Sequence, residues 1–188
     1  MSNDKKVIAI VGMPGSGKSV LSELAEKMGF PVIVMGDIVR EETAKRGLEP
    51  TPENVGKIML MIREEEGPAV VAKRCLPKIL KSISETVVVE GVRSLEEVEE
   101  YKKKLPNLKL VAIHSSPETR FHRLHNRKRS DDPKSWAVFS ERDKRELSVG
   151  TGSVIAMADY MIINECPLND FESEARKLFI EATKDARN

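Results

Sequence analysis

The chain has 188 residues, the size of one domain that buries a real core. Its 31 basic and 30 acidic side chains leave a formal net charge of +1, so overall charge does not favour a protein that coats nucleic acid. Cys75 and Cys166 lack CxxC spacing, which argues against a disulfide framework or a four-ligand zinc site and suits a reducing compartment.

Five short, mostly β-branched runs predict strands. They are VIAIV (7–11), VIVM (32–35), TVVVE (86–90), LVAIH (110–114) and YMII (160–163). Nearly continuous apolar runs of this kind are typical of parallel strands that are buried on both faces. Amphipathic stretches between and after them predict helices, including SVLSELAEKM after the first strand, SLEEVEEYKKKL from Ser94, and the C-terminal DFESEARKLFIEATKDA.

This alternation predicts a three-layer α/β domain over residues 1–188, with a five-stranded parallel sheet. About fifty residues separate the second and third strands, with helix starts predicted at Thr51-Pro52 and Gly67-Pro68. That is too long for one crossover helix, so we expect an inserted helical lobe at about residues 38–80. Ser94 and Glu97 are expected to form a capping box.

No apolar run approaches the length of a bilayer span, and the first strand is too short for the apolar region of a signal peptide. We therefore expect a soluble, cytoplasmic protein with no membrane contact. The sequence leaves the oligomeric state open, a homo-oligomer included.

The segment GMPGSGKS at residues 12–19 matches the P-loop pattern GxxxxGK[ST]. An ordinary glycine turn is the alternative, but a predicted strand before the segment and a helix after it favour the P-loop. Its residues are Gly12, Met13, Pro14, Gly15, Ser16, Gly17, Lys18 and Ser19. Backbone N–H groups would cradle phosphates, Lys18 would neutralise the β- and γ-phosphate oxygens, and the Ser19 hydroxyl would hold Mg²⁺. The predicted cofactors are ATP and Mg²⁺.

Two further clusters follow the second and third predicted strands. GDIVREE (36–42) places Asp37 and Arg40 one helical turn apart, and VVVEGVRS (87–94) contains Glu90 and Arg93. Each arginine could be an exposed surface charge. Because both follow strands of one predicted parallel sheet, they are also expected at one cleft, where two guanidiniums would suit a second phosphate. This favours ATP plus a small phosphorylated acceptor as partners.

A third cluster covers residues 115–146, where Arg120, Arg123 and Arg127 recur at helical spacing and Arg142 follows a polar break. One interpretation is a charged helical hairpin that faces solvent. The other is a short lid at about residues 127–141, whose arginines reach the transferring phosphoryl group.

These motifs resemble those of the nucleoside monophosphate kinases. GDIVREE resembles the GDxxR element with which adenylate kinases grip the acceptor phosphate, EGVR resembles their DGFPR element, and RLHNR resembles the RxxxR that opens their lid. ADYMIINEC (158–166) is similar instead to the ADxVIxNxG strand of dephospho-CoA kinases. As a whole, the chain most resembles a family of archaeal proteins related to both kinases.

The resemblance implies a nucleoside monophosphate kinase-like P-loop fold and transfer of the γ-phosphoryl group of ATP to a nucleotide or nucleotide-like acceptor. The expected roles follow the motifs. Lys18 and the loop hold the donor, and Ser19, with Glu90 behind it, holds Mg²⁺. Arg40 and Arg93 hold the acceptor, and Asp37 orients an acceptor hydroxyl. The transferring group is stabilised by Arg123, Arg127 and Arg142.

The chain also departs from the adenylate kinases. Met35 stands where they have a small hydroxyl residue, and Glu97 stands where their glutamine reads the adenine edge. A carboxylate accepts hydrogen bonds but does not donate them, which argues against AMP as the acceptor. Glu90 replaces their usual aspartate. The alternative function is a regulatory P-loop ATPase or nucleotide switch acting on a protein or RNA partner, which would not need paired acceptor arginines.

Overall fold

Runs of β-branched residues form a central sheet in the computed structural model, which describes residues 5–127 and 132–184. The strands are β1 (Lys6–Gly12), β2 (Val32–Val34), β3 (Thr86–Glu90), β4 (Asn107–His114) and β5 (Tyr160–Ile163). They lie in the order β2-β3-β1-β4-β5, and each neighbouring pair is parallel. The predicted five-stranded parallel sheet is confirmed.

Helices connect these strands. In the described residues they are α1 (Lys18–Lys27), α2 (Met35–Lys45), α3 (Pro52–Glu66), α4 (Val70–Lys81), α5 (Leu95–Lys104), α6 (Pro117–Arg127), α7 (Trp136–Val149), α8 (Thr151–Ala156) and α9 (Leu168–Thr183). None of the helices in this part of the chain combines the length and the apolar character needed to cross a membrane.

The sheet is covered on both faces, as the continuous apolar runs predict. Alternate residues of β1 point to opposite sides: Val7 and Ala9 belong to a core shared with α2–α5 and α8, while Ile8 and Ile10 belong to a core shared with α1 and α9. All four side chains are almost completely buried. Helices on both faces of a parallel sheet give the expected three-layer arrangement.

The strand register brings the predicted site residues to one edge of the sheet. Glu90, the last residue of β3, lies beside Ile10 of β1 and Val34 of β2. The carboxyl ends of β1, β2 and β3 therefore lie side by side, with Gly12 two residues beyond Ile10. Ligands of open α/β sheets bind at this edge.

Several predicted boundaries differ from the structure by a few residues; β4, for example, begins at Asn107 and not at Leu110. Met35 was expected to end the second strand, but it begins α2 and is 1% exposed, so its side chain reaches the core from a helix. A helix was expected to start at Gly67-Pro68. Instead Gly67 ends α3 with a positive φ of 93°, and α4 starts at Val70. A glycine at positive φ terminates the preceding helix.

Half of the predicted capping box is also wrong. Ser94 Oγ accepts the N–H of Glu97 at 3.3 Å, as expected for the start of α5. The Glu97 carboxylate, however, accepts the N–H of Arg93 at 2.8 Å and an Nη2–H of Arg63 at 2.5 Å. The bond to Arg63 connects α5 to α3, and it lies inside the protein because Glu97 is fully buried.

Three helices, α2, α3 and α4, occupy the long interval between β2 and β3. Glu42 on α2 pairs with Arg46 and with Arg74 of α4, both at 2.8 Å, and Arg46 pairs with Glu65 of α3 at 2.7 Å. These contacts join the three helices on their outer side. The lid expected at about residues 127–141 includes residues 128–131, which lie outside the described residues.

Candidate functional site: a P-loop cleft lined by arginines

The P-loop turns sharply between β1 and α1 because of two glycines. Gly15 and Gly17 have φ values of 82° and 111°, which side chains rarely adopt. A Cβ at Gly17 would overlap Asn164 Nδ2, and one at Gly15 would lie 2.8 Å from the Arg120 carbonyl oxygen. Both positions therefore need glycine for conformation and for space.

Lys18, the first residue of α1, folds its side chain back over the loop. Its Nζ donates to the carbonyl oxygens of Gly12 at 2.7 Å and Met13 at 3.2 Å. Burial and the neighbouring Arg93 lower the pKa of Lys18 to about 8, against the opposing effect of Glu90 and Glu146. Burial thus disfavours the charged form of Lys18 in the free protein, and an anion bound beside the ammonium group would stabilise it.

A cleft of about 650 Å³ opens above the P-loop and the carboxyl edge of the sheet. Six cationic side chains from separate parts of the chain line it: Lys18, Arg40, Arg93, Arg123, Arg127 and Arg142. The glutamates that line it are Glu23, Glu26, Glu90 and Glu146. A cleft with this excess of cations is suited to an anionic ligand such as a polyphosphate.

Ser19 and Glu90 both line the cleft, and Ser19 is exposed. Glu90 Oε2 accepts a hydrogen bond of 2.5 Å from Ser22 Oγ, one turn of α1 beyond Ser19. Hydroxyl and carboxylate oxygens are the ligand type that Mg²⁺ prefers, usually with several waters retained. The two residues therefore fit a magnesium ion bound with a nucleotide at the P-loop.

Arg40 and Asp37 form an ion pair within α2, with Nη2 and Oδ1 2.6 Å apart. Their side chains are 51% and 52% exposed, so the pair is in contact with solvent. Arg40 lines the cleft. Exposed pairs of this type contribute little to stability and exchange partners easily.

Arg93 reaches the cleft from the loop after β3 and pairs with Glu146 of α7. Arg93 Nε and Glu146 Oε2 are 2.9 Å apart, and both side chains are mostly buried. Burial would raise the pKa of Glu146, but Arg93, Lys18 and Arg142 hold it below its usual value. Sequence patterns did not identify Glu146, although it lies one helical turn after Arg142.

Arg123 on α6 is held close to the P-loop by the segment after β5. Its Nη2 donates to the Asn164 carbonyl at 3.0 Å and to Asn164 Oδ1 at 3.2 Å, and its Nη1 donates to Ser115 Oγ at 3.0 Å. Asn164 Nδ2 in turn donates to the Ser16 carbonyl at 2.9 Å. Asn164 belongs to the motif ADYMIINEC (158–166), but the sequence alone indicated no role for it.

Arg127 and Arg142 lie at the lid side of the cleft. Arg127 Nη2 pairs with Asp132 Oδ1 at 2.6 Å across the undescribed residues 128–131. Arg142 lies on α7 and contributes to the electrostatic environment of Lys18 and Glu146. The two arginines thus approach one cleft from the two helices that flank the expected lid.

Arg120, grouped with these arginines by its spacing, has a different position. It is 4% exposed, and its guanidinium pairs with Asp143 through contacts of 2.8 and 2.5 Å. Its Nη1 also donates to the Pro14 carbonyl at 3.1 Å, and the group lies 5.0 Å from the centre of the Phe139 ring. Arg120 therefore joins α6 and α7 to the outer side of the P-loop.

Most of the predicted site residues line this one cleft, but three do not. Ser16 is fully buried beneath the loop, and its N–H donates to the Met13 carbonyl at 3.1 Å. Met13 lies in the same turn, and Asp37 contacts the cleft residue Arg40 from outside the lining. No pattern in the sequence distinguishes these three from their neighbours.

Comparison with known proteins connects this geometry to a family. The family described as AAA domain matches residues 11–140. The UPF0200 protein of Hyperthermus butylicus is 52% identical over 94% of this chain and 95% of its own. The UPF0200 protein of Pyrococcus furiosus is 51% identical over 92% of this chain and 95% of its own. That of Methanothermobacter thermautotrophicus is 46% identical over 92% of this chain and 88% of its own.

Solved structures share the fold at low sequence identity. A shikimate kinase from Acinetobacter baumannii in complex with shikimate aligns with a TM-score of 0.58 at 18% identity, covering 96% of both chains. A gluconokinase from Sinorhizobium meliloti aligns with a TM-score of 0.54 at 20% identity, covering 94% of this chain and 97% of its own. TT1252 from Thermus thermophilus aligns with a TM-score of 0.60 at 18% identity, covering 96% of this chain and 99% of its own. The chain belongs to the archaeal UPF0200 protein family and has a P-loop kinase-like fold.

Proposed function

We propose that the protein is an ATP-dependent phosphotransferase that moves the γ-phosphoryl group to a small phosphorylated acceptor of the nucleotide or nucleotide-like class. The observation that carries this proposal is the single cleft in which the P-loop meets arginines from α2, the loop after β3, α6 and α7. Phosphoryl transfer depends mainly on positioning and on offsetting charge, and such a set of donors can do both.

The donor half of the proposed site is the P-loop with Lys18 and Ser19. Lys18 already bonds carbonyls of the loop and would exchange them for phosphate oxygens. Glu90 would orient water or hydroxyl ligands behind the metal from its bond to Ser22. Mg²⁺, when bound, offsets the charge of the phosphate oxygens.

The acceptor half is Arg40 and Arg93, with α2–α4 as the proposed acceptor-binding lobe. Arg123, Arg127 and Arg142 would stabilise the transferring group from the lid side. A loose transition state does not require a dedicated general base. Asp37 would orient a hydroxyl if the acceptor supplies one.

Glu97 bears on the identity of the acceptor. It is fully buried and bonded to Arg63 and to the Arg93 N–H, so its carboxylate is occupied. This supports the sequence argument against AMP, because a buried carboxylate is a poor substitute for an amide that reads adenine. Shikimate and gluconate kinases share only the fold, so their substrates do not identify this acceptor.

A regulatory ATPase is the second candidate, and one observation favours it. Both proposed acceptor arginines are ion-paired with carboxylates of the same chain, Arg40 with Asp37 and Arg93 with Glu146. A protein that only hydrolyses ATP would leave these pairs intact. A kinase would have to share at least one of these guanidiniums with the acceptor or break its ion pair.

The proposal is tested first by a thermal-shift screen of nucleoside monophosphates and other small phosphorylated compounds. The screen is run with and without Mg²⁺ and a non-hydrolysable ATP analogue. A kinase predicts stabilisation by the analogue and a further shift with one class of acceptor, because a ligand that binds only the folded state raises Tm. No shift with the analogue would contradict the donor assignment.

A further inference from the structure

Glu146 is an anionic side chain at the proposed acceptor end of a mostly cationic cleft. Its Oε2 accepts a hydrogen bond of 2.9 Å from Arg93 Nε, and the two side chains are 18% and 26% exposed. Three cations, Arg93, Lys18 and Arg142, hold the pKa of Glu146 low despite its burial. The carboxylate is therefore ionised at neutral pH and is bonded to the guanidinium of Arg93, one of the cleft arginines.

The pair is fixed from both sides. On one side, the Arg93 N–H donates to the buried Glu97 carboxylate at 2.8 Å. On the other, Gly150 at the end of α7 packs so closely that a Cβ there would lie 3.3 Å from the Arg93 carbonyl oxygen. The Arg120–Asp143 pair also holds α7 to α6. Glu146 thus faces Arg93 from a well-supported helix.

The other proposed acceptor arginine is held much more weakly. Arg40 and Asp37 are about half exposed, so solvent screens their attraction. Breaking the Arg93–Glu146 pair is harder, because a mostly buried charge loses its partner unless another anion takes its place. Arg93 is therefore the position at which an incoming acceptor must compete with the protein's own carboxylate.

We infer that Glu146 is a specificity-determining residue: its carboxylate acts as an internal competitor for Arg93, so that an acceptor with a doubly charged phosphate group binds and a singly charged carboxylate acceptor is rejected. This inference rests on the proposed phosphotransferase function. A dianion gains about twice the Coulomb energy of a monoanion at the same distance from Arg93. Both ligands must displace the same carboxylate, so this fixed cost leaves the more weakly attracted monoanion without measurable affinity.

The inference is tested by calorimetric titration of inorganic phosphate, and separately of acetate, into the full-length protein. The protein is titrated both free and saturated with Mg²⁺ and a non-hydrolysable ATP analogue, which blocks the P-loop. The variants are Glu146→Gln, Arg93→Ala, the double variant, and Glu141→Gln as a control. Glu141 is an exposed residue of the same helix.

We expect Glu146→Gln to bind phosphate at least about tenfold more tightly than wild type, since a charged competitor for a charge-assisted hydrogen bond is removed. Acetate binding should strengthen by a similar factor and become measurable in Glu146→Gln, because both anions lose the same competitor. Glu141→Gln should match wild type. The gain should disappear when Arg93→Ala is added, because the gain requires the freed guanidinium.

Unchanged or weaker phosphate binding in Glu146→Gln would overturn the inference, since weaker binding would mean that Glu146 orients Arg93 for its ligand. A gain that persists without Arg93 would also overturn it. If Glu146→Gln fails to fold, Glu146→Ala gives the same comparison. Failure of the analogue to bind wild type would instead contradict the proposed function, and the titrations without the analogue would still test Glu146.

Discussion

Asn164 holds Ser16 from behind the P-loop: its Nδ2 donates to the Ser16 carbonyl at 2.9 Å, while its Oδ1 accepts from Arg123 at 3.2 Å. The segment after the edge strand β5 therefore sets the position of the phosphate-binding turn and of an arginine of α6 together. Ser115 adds a second, longer contact to the same carbonyl at 3.3 Å.

Replacing Asn164 by Ala should weaken both stability and nucleotide binding. The Ser16 carbonyl loses its main donor and Arg123 loses an acceptor, so we expect the free energy of unfolding to fall by about 1–2 kcal/mol. Urea unfolding and titration with an ATP analogue measure the two effects. Asn169→Ala, an exposed position on α9, is the control. Analogue affinity equal to wild type would show that Asn164 does not position the loop.

Nucleotide binding should weaken as the pH rises through the pKa of Lys18. The pKa is lowered to about 8 by burial and by Arg93 and Arg142, against Glu90 and Glu146, so the free protein loses this positive charge above pH 8. Phosphate binds the charged form, so affinity for the ATP analogue should fall by about tenfold between pH 7 and pH 9. Proton uptake on binding should appear at pH 9 in calorimetry with buffers of different ionisation enthalpy.

Lys18→Arg provides the matched control, since arginine stays charged throughout this range. Its affinity for the analogue should vary little between pH 7 and pH 9, whatever its absolute value. The same tenfold loss in Lys18→Arg would assign the pH dependence to another group.

Arg127→Ala should reduce kcat for ATP turnover by at least about tenfold, with a smaller change in affinity for the ATP analogue. A contact made mainly in the transition state affects kcat, and Arg127 must leave Asp132 to make it. Arg176→Ala, an exposed arginine of α9, should leave kcat unchanged. A loss confined to analogue affinity would assign Arg127 to donor recognition instead.

Arg40→Ala and Arg93→Ala should each weaken binding of the acceptor identified by the thermal-shift screen and leave analogue affinity nearly unchanged. Loss of one charge-assisted hydrogen bond costs about 1.5–3 kcal/mol, or roughly tenfold to a hundredfold in affinity. Because both arginines are proposed to hold the same phosphate, the double variant should lose less than the sum.

Calorimetric titration of the acceptor into wild type, both single variants and the double variant measures this coupling. Lys45→Ala, exposed on α2, is the control. Additive losses would show that the two arginines bind separate groups of the acceptor and do not share one phosphate. Losses in analogue affinity instead would favour the regulatory ATPase.

The sheet could be predicted because its strands are short apolar runs buried on both faces. A continuous apolar run can be recognised from a few neighbouring residues. Met35 could not be assigned, since a buried apolar residue at a boundary suits a strand or a helix equally well. The P-loop was recognisable because its glycines and Lys18 occupy fixed positions in one short, contiguous segment. These are properties of neighbouring residues.

The contacts that sequence reasoning missed are between distant residues. Glu97 was expected to cap its own helix, yet it bonds Arg63, thirty-four positions away. Glu146 meets Arg93 across fifty-three positions, and Arg120 meets Asp143 between two helices. Such pairs leave no local signal in a sequence, because their partners are far apart along the chain. The fold alone decides which charges in an arginine-rich segment face the cleft.

If ATP turnover serves transfer to an acceptor, ADP release from γ-labelled ATP should depend on the acceptor found in the screen, and the rate is measured with and without it. For a kinase, we expect the acceptor to raise the rate of ADP release at least about tenfold, which corresponds to a barrier lowered by about 1.4 kcal/mol, with the label recovered in the acceptor. An unchanged rate of ADP release, with the label recovered as inorganic phosphate, would contradict the proposed phosphotransferase function and identify the protein as an ATPase.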